Sequence, residues 1–229
     1  MHIPQGVTAT RHPPERVPWL VVFPLSATAG YYILPDALQQ SDWLIFAPQL
    51  TAYLSLLLWM AVNTKPWARL GLDRTSFGWG VRQGSVIGVA LAAVNLSLIL
   101  FVIPGLGGDV AYLRETPHAR APVWLMFPFG IAMTAILVEL NFRGFQLGRL
   151  LALFGPSTLG RAGAVILSAF AFAWDPFMVH VFGSLHWMAA TDGMVWGILL
   201  LRTETLYATM AAHTIEVWIL YVSLKLWFG

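Results

Sequence analysis

The sequence predicts an all-α polytopic membrane protein, a bundle of about seven transmembrane helices. Hydrophobic residues make up 58% of the 229 positions and charged residues only 10%. Several apolar runs reach the ~20 residues that an α-helix needs to cross a bilayer. No stretch reads as a water-soluble domain, so one integral membrane domain, residues 18–229, is expected behind an N-terminal head, residues 1–17.

The first candidate helix, near 18–35, follows RHPPERVP. This polar, proline-rich head lacks the small-residue cleavage site of a signal peptide and is expected to stay attached along the membrane surface. Candidate helices near 43–62 and 82–103 have ordinary span lengths, and the second of these carries Gly84 and Gly88, a small-x-x-x-small pattern suited to close helix packing. A fourth, near 122–152, is longer than a bilayer requires. It turns amphipathic from Arg143, so its end is expected to leave the membrane or bend at Gly144. The fifth, near 161–175, ends at Trp174-Asp175-Pro176, and helices near 181–201 and 205–227 complete the set.

Orientation follows from Lys and Arg. With the N-terminus cytoplasmic, that side holds Arg11, Arg16, Lys65, Arg69, Arg74, Arg82, Arg149, Arg161 and Arg202, against Arg114, Arg120 and Lys225 outside. The expectation is an integral protein of a bacterial inner (cytoplasmic) membrane, N-terminus in and C-terminus out, with Pro104 to Pro122 as its largest external loop.

The absence of cysteine excludes disulfides, thiolate catalysis and Cys-ligated metal centres. No phosphate-cradling glycine loop, nucleophile elbow or basic nucleic-acid stripe is present, so partners are expected among membrane proteins and lipids, not nucleic acids. Inverted repeats are not evident, which argues against a transporter. His180 and His186 are six residues apart, which is not the spacing of two ligands on one helical turn, so no metal pair is read there. Either one alone would suffice as an axial ligand to a haem, porphyrin or chlorophyll-type pigment, or it serves as an ordinary packing histidine. His118 falls in a loop, and His2 and His12 fall in the head. Of eleven tryptophans, most sit near span ends as interfacial anchors, whereas Trp174, Trp196 and Trp218 lie deeper.

The stretch VELNFRGFQLGRL, Val138 to Leu150, sets Glu139 and Arg143 four residues apart at the end of an apolar run. A charge inside a span is costly unless it faces protein or water, so both point into the bundle, where i,i+4 spacing lets them pair. The structural reading is an ion pair that fixes helix packing.

V-E-L-N-F-R-G-F resembles the first motif, E-E-x-x-x-R, of the CPBP family, the CAAX-protease and bacteriocin-processing membrane proteins also called Abi proteins. Leu167 to Trp174 is similar to its F-x-x-x-H helix, and Gly197 to His213 is similar to its G-x-x-x-x-x-R-T-x-S-L-x-x-x-x-x-H block. Trp67 to Gly80 is similar to the family's lead-in to its third helix, so the resemblance covers roughly 65–217. It implies a CPBP-type helical bundle and intramembrane peptidase ancestry.

Family members that cleave peptides use the first glutamate and the second-motif histidine to activate water, and a third-motif H-x-x-x-N or H-x-x-x-D to hold the oxyanion. Those positions are Val138, Trp174 and Val217 in this chain, whereas Glu139, Arg143 and His213 remain. Valine offers no basic atom, and a missing oxyanion donor costs about 100-fold to 1000-fold. The resemblance therefore implies a catalytically degenerate member: a non-enzymatic scaffold, assembly factor or accessory subunit binding a membrane protein, lipid or pigment in an inherited pocket. Since some relatives organise pigment metabolism, a pigment-binding or energy-converting complex is one variant. The alternative is a peptidase acting on prenylated or leader peptides through a rearranged centre of Glu139 and His213, with Glu216 one residue from the expected third-motif position.

Overall fold

The computed structural model describes residues 14–228, without the side chains of His118 and Phe228. His2, Arg11 and His12 lie outside the described residues, with the rest of the head before Pro14. Every regular element among the described residues is helical. A short turn at Pro18–Val21 leads into α1 (Val22–Tyr31), followed by α2 (Asp42–Val62), α3 (Arg74–Gly105), α4 (Val123–Phe154), α5 (Thr158–Ala173), α6 (Pro176–Phe182), α7 (His186–Thr203) and α8 (Leu206–Phe228).

Each of the seven expected segments is helical, but the expected seven spans are not all matched. Among the described residues three helices, α2, α3 and α4, are long and apolar enough to cross a membrane. The stretch Thr158–Ala173 with Pro176–Thr203 makes a fourth if that pair, bent by 58°, counts as one span. The 10 residues of α1 are too few to cross. Helix α8 has 23 residues, but Thr209, His213, Thr214 and Glu216 interrupt its apolar run. The bend between α5 and α6 is sharp because Pro176 cannot continue the preceding helix. Asp175 caps the new helix, accepting from Phe177 N at 3.1 Å and from Gln49 Nε2 of α2 at 2.9 Å.

The bundle is apolar on its outside. Leu54, Leu57 and Leu58 on α2, Val86 and Val89 on α3, and Met133 on α4 are exposed, as expected for a surface whose solvent is hydrocarbon. Polar groups collect inside instead. Helices α3 and α8 lie against each other along the Gly84 and Gly88 seam. A Cβ on Gly84 would sit 2.0 Å from the Ala208 carbonyl oxygen, and one on Gly88 2.5 Å from that of Ala212. Only glycine permits that approach of two backbones.

The second half of α4, expected from its sequence to turn amphipathic from Arg143, is enclosed by the rest of the protein. Asn141 to Leu147 are all buried, as are Arg149 and Leu150. The segment Leu140–Leu147 is π-helical, a wider turn in which residues five apart come together. Gln146 Nε2 accordingly donates to Asn141 Oδ1 at 3.0 Å. The polar side chains of this segment are thus turned inward, although Gln146 Oε1 has no hydrogen-bond partner there. Ser168 Oγ on α5 donates to the Phe142 carbonyl at 3.0 Å, tying this segment to α5.

The described part of the head is also docked. Glu15 Oε1 accepts from Trp59 Nε1 at 2.7 Å and pairs with Arg149, whose guanidinium lies 3.8 Å above the Trp59 ring. Asn63 clasps the adjoining backbone, its Oδ1 accepting from Arg16 N at 2.8 Å and its Nδ2 donating to Arg16 O at 3.0 Å.

Candidate functional site

Helix α4 delivers Glu139 and Arg143 to the bundle interior, where they are 0% and 1% exposed. Arg143 Nη1 stands 3.3 Å from Glu139 Oε1, and the same oxygen lies 3.0 Å from Nδ1 of His213 on α8. One carboxylate thus faces a guanidinium and an imidazole from two helices. Aromatic rings complete the enclosure. Arg143 lies 4.5 Å from the ring centroid of Phe172 and 4.8 Å from that of Trp196, and the His213 ring stacks on Trp196 with centroids 4.2 Å apart. Gly193 on α7 leaves the space, since a Cβ there would come within 3.0 Å of Arg143 Nη2.

Beside this trio opens a cavity of about 500 Å³ between α3, α4, α7 and α8. His213 is on its wall, whereas Glu139 and Arg143 are not among the lining residues. The wall carries Val138 and Val217, so three residues singled out from the sequence, Val138, His213 and Val217, share one interior space. Trp174 does not share it. It is half-buried, stacks on Phe170 at 4.9 Å, and packs edge-on against His186. Phe172, two residues earlier and about 200° around the helix, is the α5 side chain on the cavity wall.

His180 and His186 stay outside the cavity. His180 is exposed beside Tyr31, Asp36 and Gln39, and His186 Nδ1 is 2.8 Å from the Gly183 carbonyl oxygen. Among the described residues no cluster of three or more His, Cys, Asp or Glu could hold a metal ion.

Two residues of the cavity wall, Asn95 on α3 and Asp192 on α7, escape the motif reading, and a third, Glu216 on α8, enters it only as a substitute base. Asn95 Nδ2 donates to Glu216 Oε1 at 2.7 Å and lies 3.2 and 3.1 Å from the two oxygens of Asp192. A signal for Asn95 and Asp192 existed. Each is an isolated polar residue in an apolar helix, VALAAVNLSLIL and MAATDGMVWGIL, and the cost argument that turned Glu139 inward applies equally to them.

Chemically, the arrangement offers one sealed ion pair and, separately, a largely apolar chamber whose wall carries an imidazole, two carboxyl groups, the Asn95 and Gln49 amides and the cationic side chains of Arg114 and Lys225. No curated protein and no solved structure matches the chain. Residues 120–219 match the family model described as Rce1-like, type II CAAX prenyl endopeptidase Rce1-like. That stretch carries Glu139, Arg143, Asp192, His213 and Glu216, while Asn95 and the head lie before it. Over residues 120–219 the chain is therefore similar to the Rce1-like endopeptidases of the CPBP membrane proteins.

Proposed function

We propose that the chain binds rather than cleaves. On this reading it holds the apolar part of a lipid-like molecule, or of a membrane protein it helps assemble, in the cavity beside Glu139 and His213. It acts as a scaffold or accessory subunit of a membrane complex. The observation that carries this reading is that Val138 and Val217 form apolar wall where active relatives have a base and an oxyanion amide, while Glu139 is sealed behind the wall by Arg143 and His213. A general base must reach the water it deprotonates. Glu139 is spent on two cationic or hydrogen-bonding neighbours and has no exposed surface. The excess of Lys and Arg in the segments read as cytoplasmic supports an inner-membrane location with the N-terminus inside.

One observation favours a second reading. His213, Glu216 and the Asn95 amide line the same chamber, which is the material of a rearranged intramembrane endopeptidase. The decisive assay is turnover of prenylated and leader-bearing peptide libraries by the reconstituted protein, with a Glu139→Ala, His213→Ala double variant and a Glu216→Gln variant as controls. The binding reading expects no turnover above the controls. Cleavage by the wild type that either control abolishes overturns it and establishes the peptidase.

A further inference from the structure

Asn95, Asp192 and Glu216 come from three different helices and meet on the cavity wall, each 8% exposed or less. An amide nitrogen carries two hydrogens, and Asn95 directs its own at Glu216 Oε1 and at the Asp192 carboxyl group. Glu216 Oε2 then remains buried without a hydrogen-bond partner, on a residue that faces the chamber. Arg143 makes no hydrogen bond to it, being held beside Glu139 near Phe172 and Trp196, and its single charge is shared among Glu139, Asp192 and Glu216. Two acidic groups in an apolar interior demand donors or a positive charge, because an unmatched carboxylate there is expensive. Most of the remaining wall offers neither, Ile99, Leu113, Leu185, Met188, Leu220 and Leu224 being apolar, although Arg114 and Lys225 also line the chamber.

The chamber also has length. Glu216 and Lys225 both line it and are nine residues apart on α8, a rise of about 13 Å. Its volume of about 500 Å³ falls within the ~300–1,000 Å³ typical of small-molecule sites.

We infer that the cavity seats a cationic amphiphile, its ammonium group between Asp192 and Glu216 and its hydrocarbon chain along the apolar wall toward Lys225. The ammonium donates to Glu216 Oε2 and to an Asp192 oxygen, and Asn95 holds the two carboxyl groups at the right separation. Amine-headed lipids and lipid-modified amines share this chemistry. The inference rests on the binding reading and adds the head group to it.

The test is equilibrium binding of radiolabelled dodecylammonium to the purified full chain in a neutral detergent, corrected for protein-free micelles and competed by dodecanol and by dodecanoate. The chain is constant and only the head changes. Dodecylammonium should bind about 10-fold or more tightly than dodecanol, as a charge-assisted hydrogen bond commands, with dodecanoate weakest. Glu216→Gln and Asp192→Asn should each erase most of that preference by lowering the affinity for dodecylammonium. Equal competition by all three amphiphiles overturns the inference and leaves the binding reading standing. Failure of all three to bind overturns both. The wild-type competition decides alone if either variant folds poorly.

Discussion

Helix α4 brings two arginines against glutamates out of easy reach of water, Arg143 against Glu139 and Arg149 against Glu15, and the two pairs are built differently. The first is local, four residues apart, fully buried, and completed by His213 from α8. The second joins the head to the end of α4, keeps Glu15 partly open to solvent, and rests on Trp59, which donates to Glu15 and lies flat beneath Arg149. A buried pair with no exit must keep both members. One near the surface can release a partner to water, so the two should respond differently to the same kind of change.

The largest contrast is expected from Glu139→Leu. It strands the Arg143 guanidinium between two aromatic rings and should cost about 3–5 kcal/mol in detergent unfolding, with the Glu139→Leu, Arg143→Leu double variant milder than the worse single one. Simply additive losses would break the claim that the two residues act as a pair. Glu15→Ala should cost less, about 1–3 kcal/mol, because Glu15 is itself partly open to solvent and Trp59 still lies against the Arg149 guanidinium once the carboxylate is gone. Its signature is early cleavage of the head by added protease, ahead of global unfolding. A loss as large as that of Glu139→Leu would erase the distinction between the pairs. The smallest effect belongs to Trp59→Phe, which keeps a ring under Arg149 but removes the donor to Glu15, and about 1 kcal/mol is expected. No measurable change there would mean that the ring alone fixes the head.

The same contrast explains what the sequence could reveal. Glu139 and Arg143 are legible because their relation is local: spacing places them on one face and membrane cost turns them inward. His213 needed the resemblance to enter, since nothing near it in the chain points to Glu139. Glu15 and Arg149 are separated by most of the protein, and an arginine near a helix end reads as a snorkelling side chain until a partner is brought to it. The amphipathic end read from Arg143 onward hid its partners for a related reason. A π-helical turn changes which residues share a face, and lets Gln146 donate to Asn141. At α5 the motif register singled out Trp174, whereas the chamber takes Phe172, a difference of helix face that no spacing rule along the chain resolves. The helical class itself needed none of this, because apolar run length is a one-dimensional property.

The glycine seam has a mechanical meaning for the chamber. Helices α3 and α8 supply Asn95, His213, Glu216 and Val217 to its wall, and their backbones already touch at Gly84 and Gly88. Parting them would forfeit the close backbone contact at that seam, so these two helices form one jamb of the chamber. Other parts of the wall, Leu113, Thr116 and Ala119 of the 106–122 connection and Phe177, Met178 and Phe182 of the seven-residue α6, come from short elements, so the long-helix side of the chamber is the one that carries Asn95, His213 and Glu216.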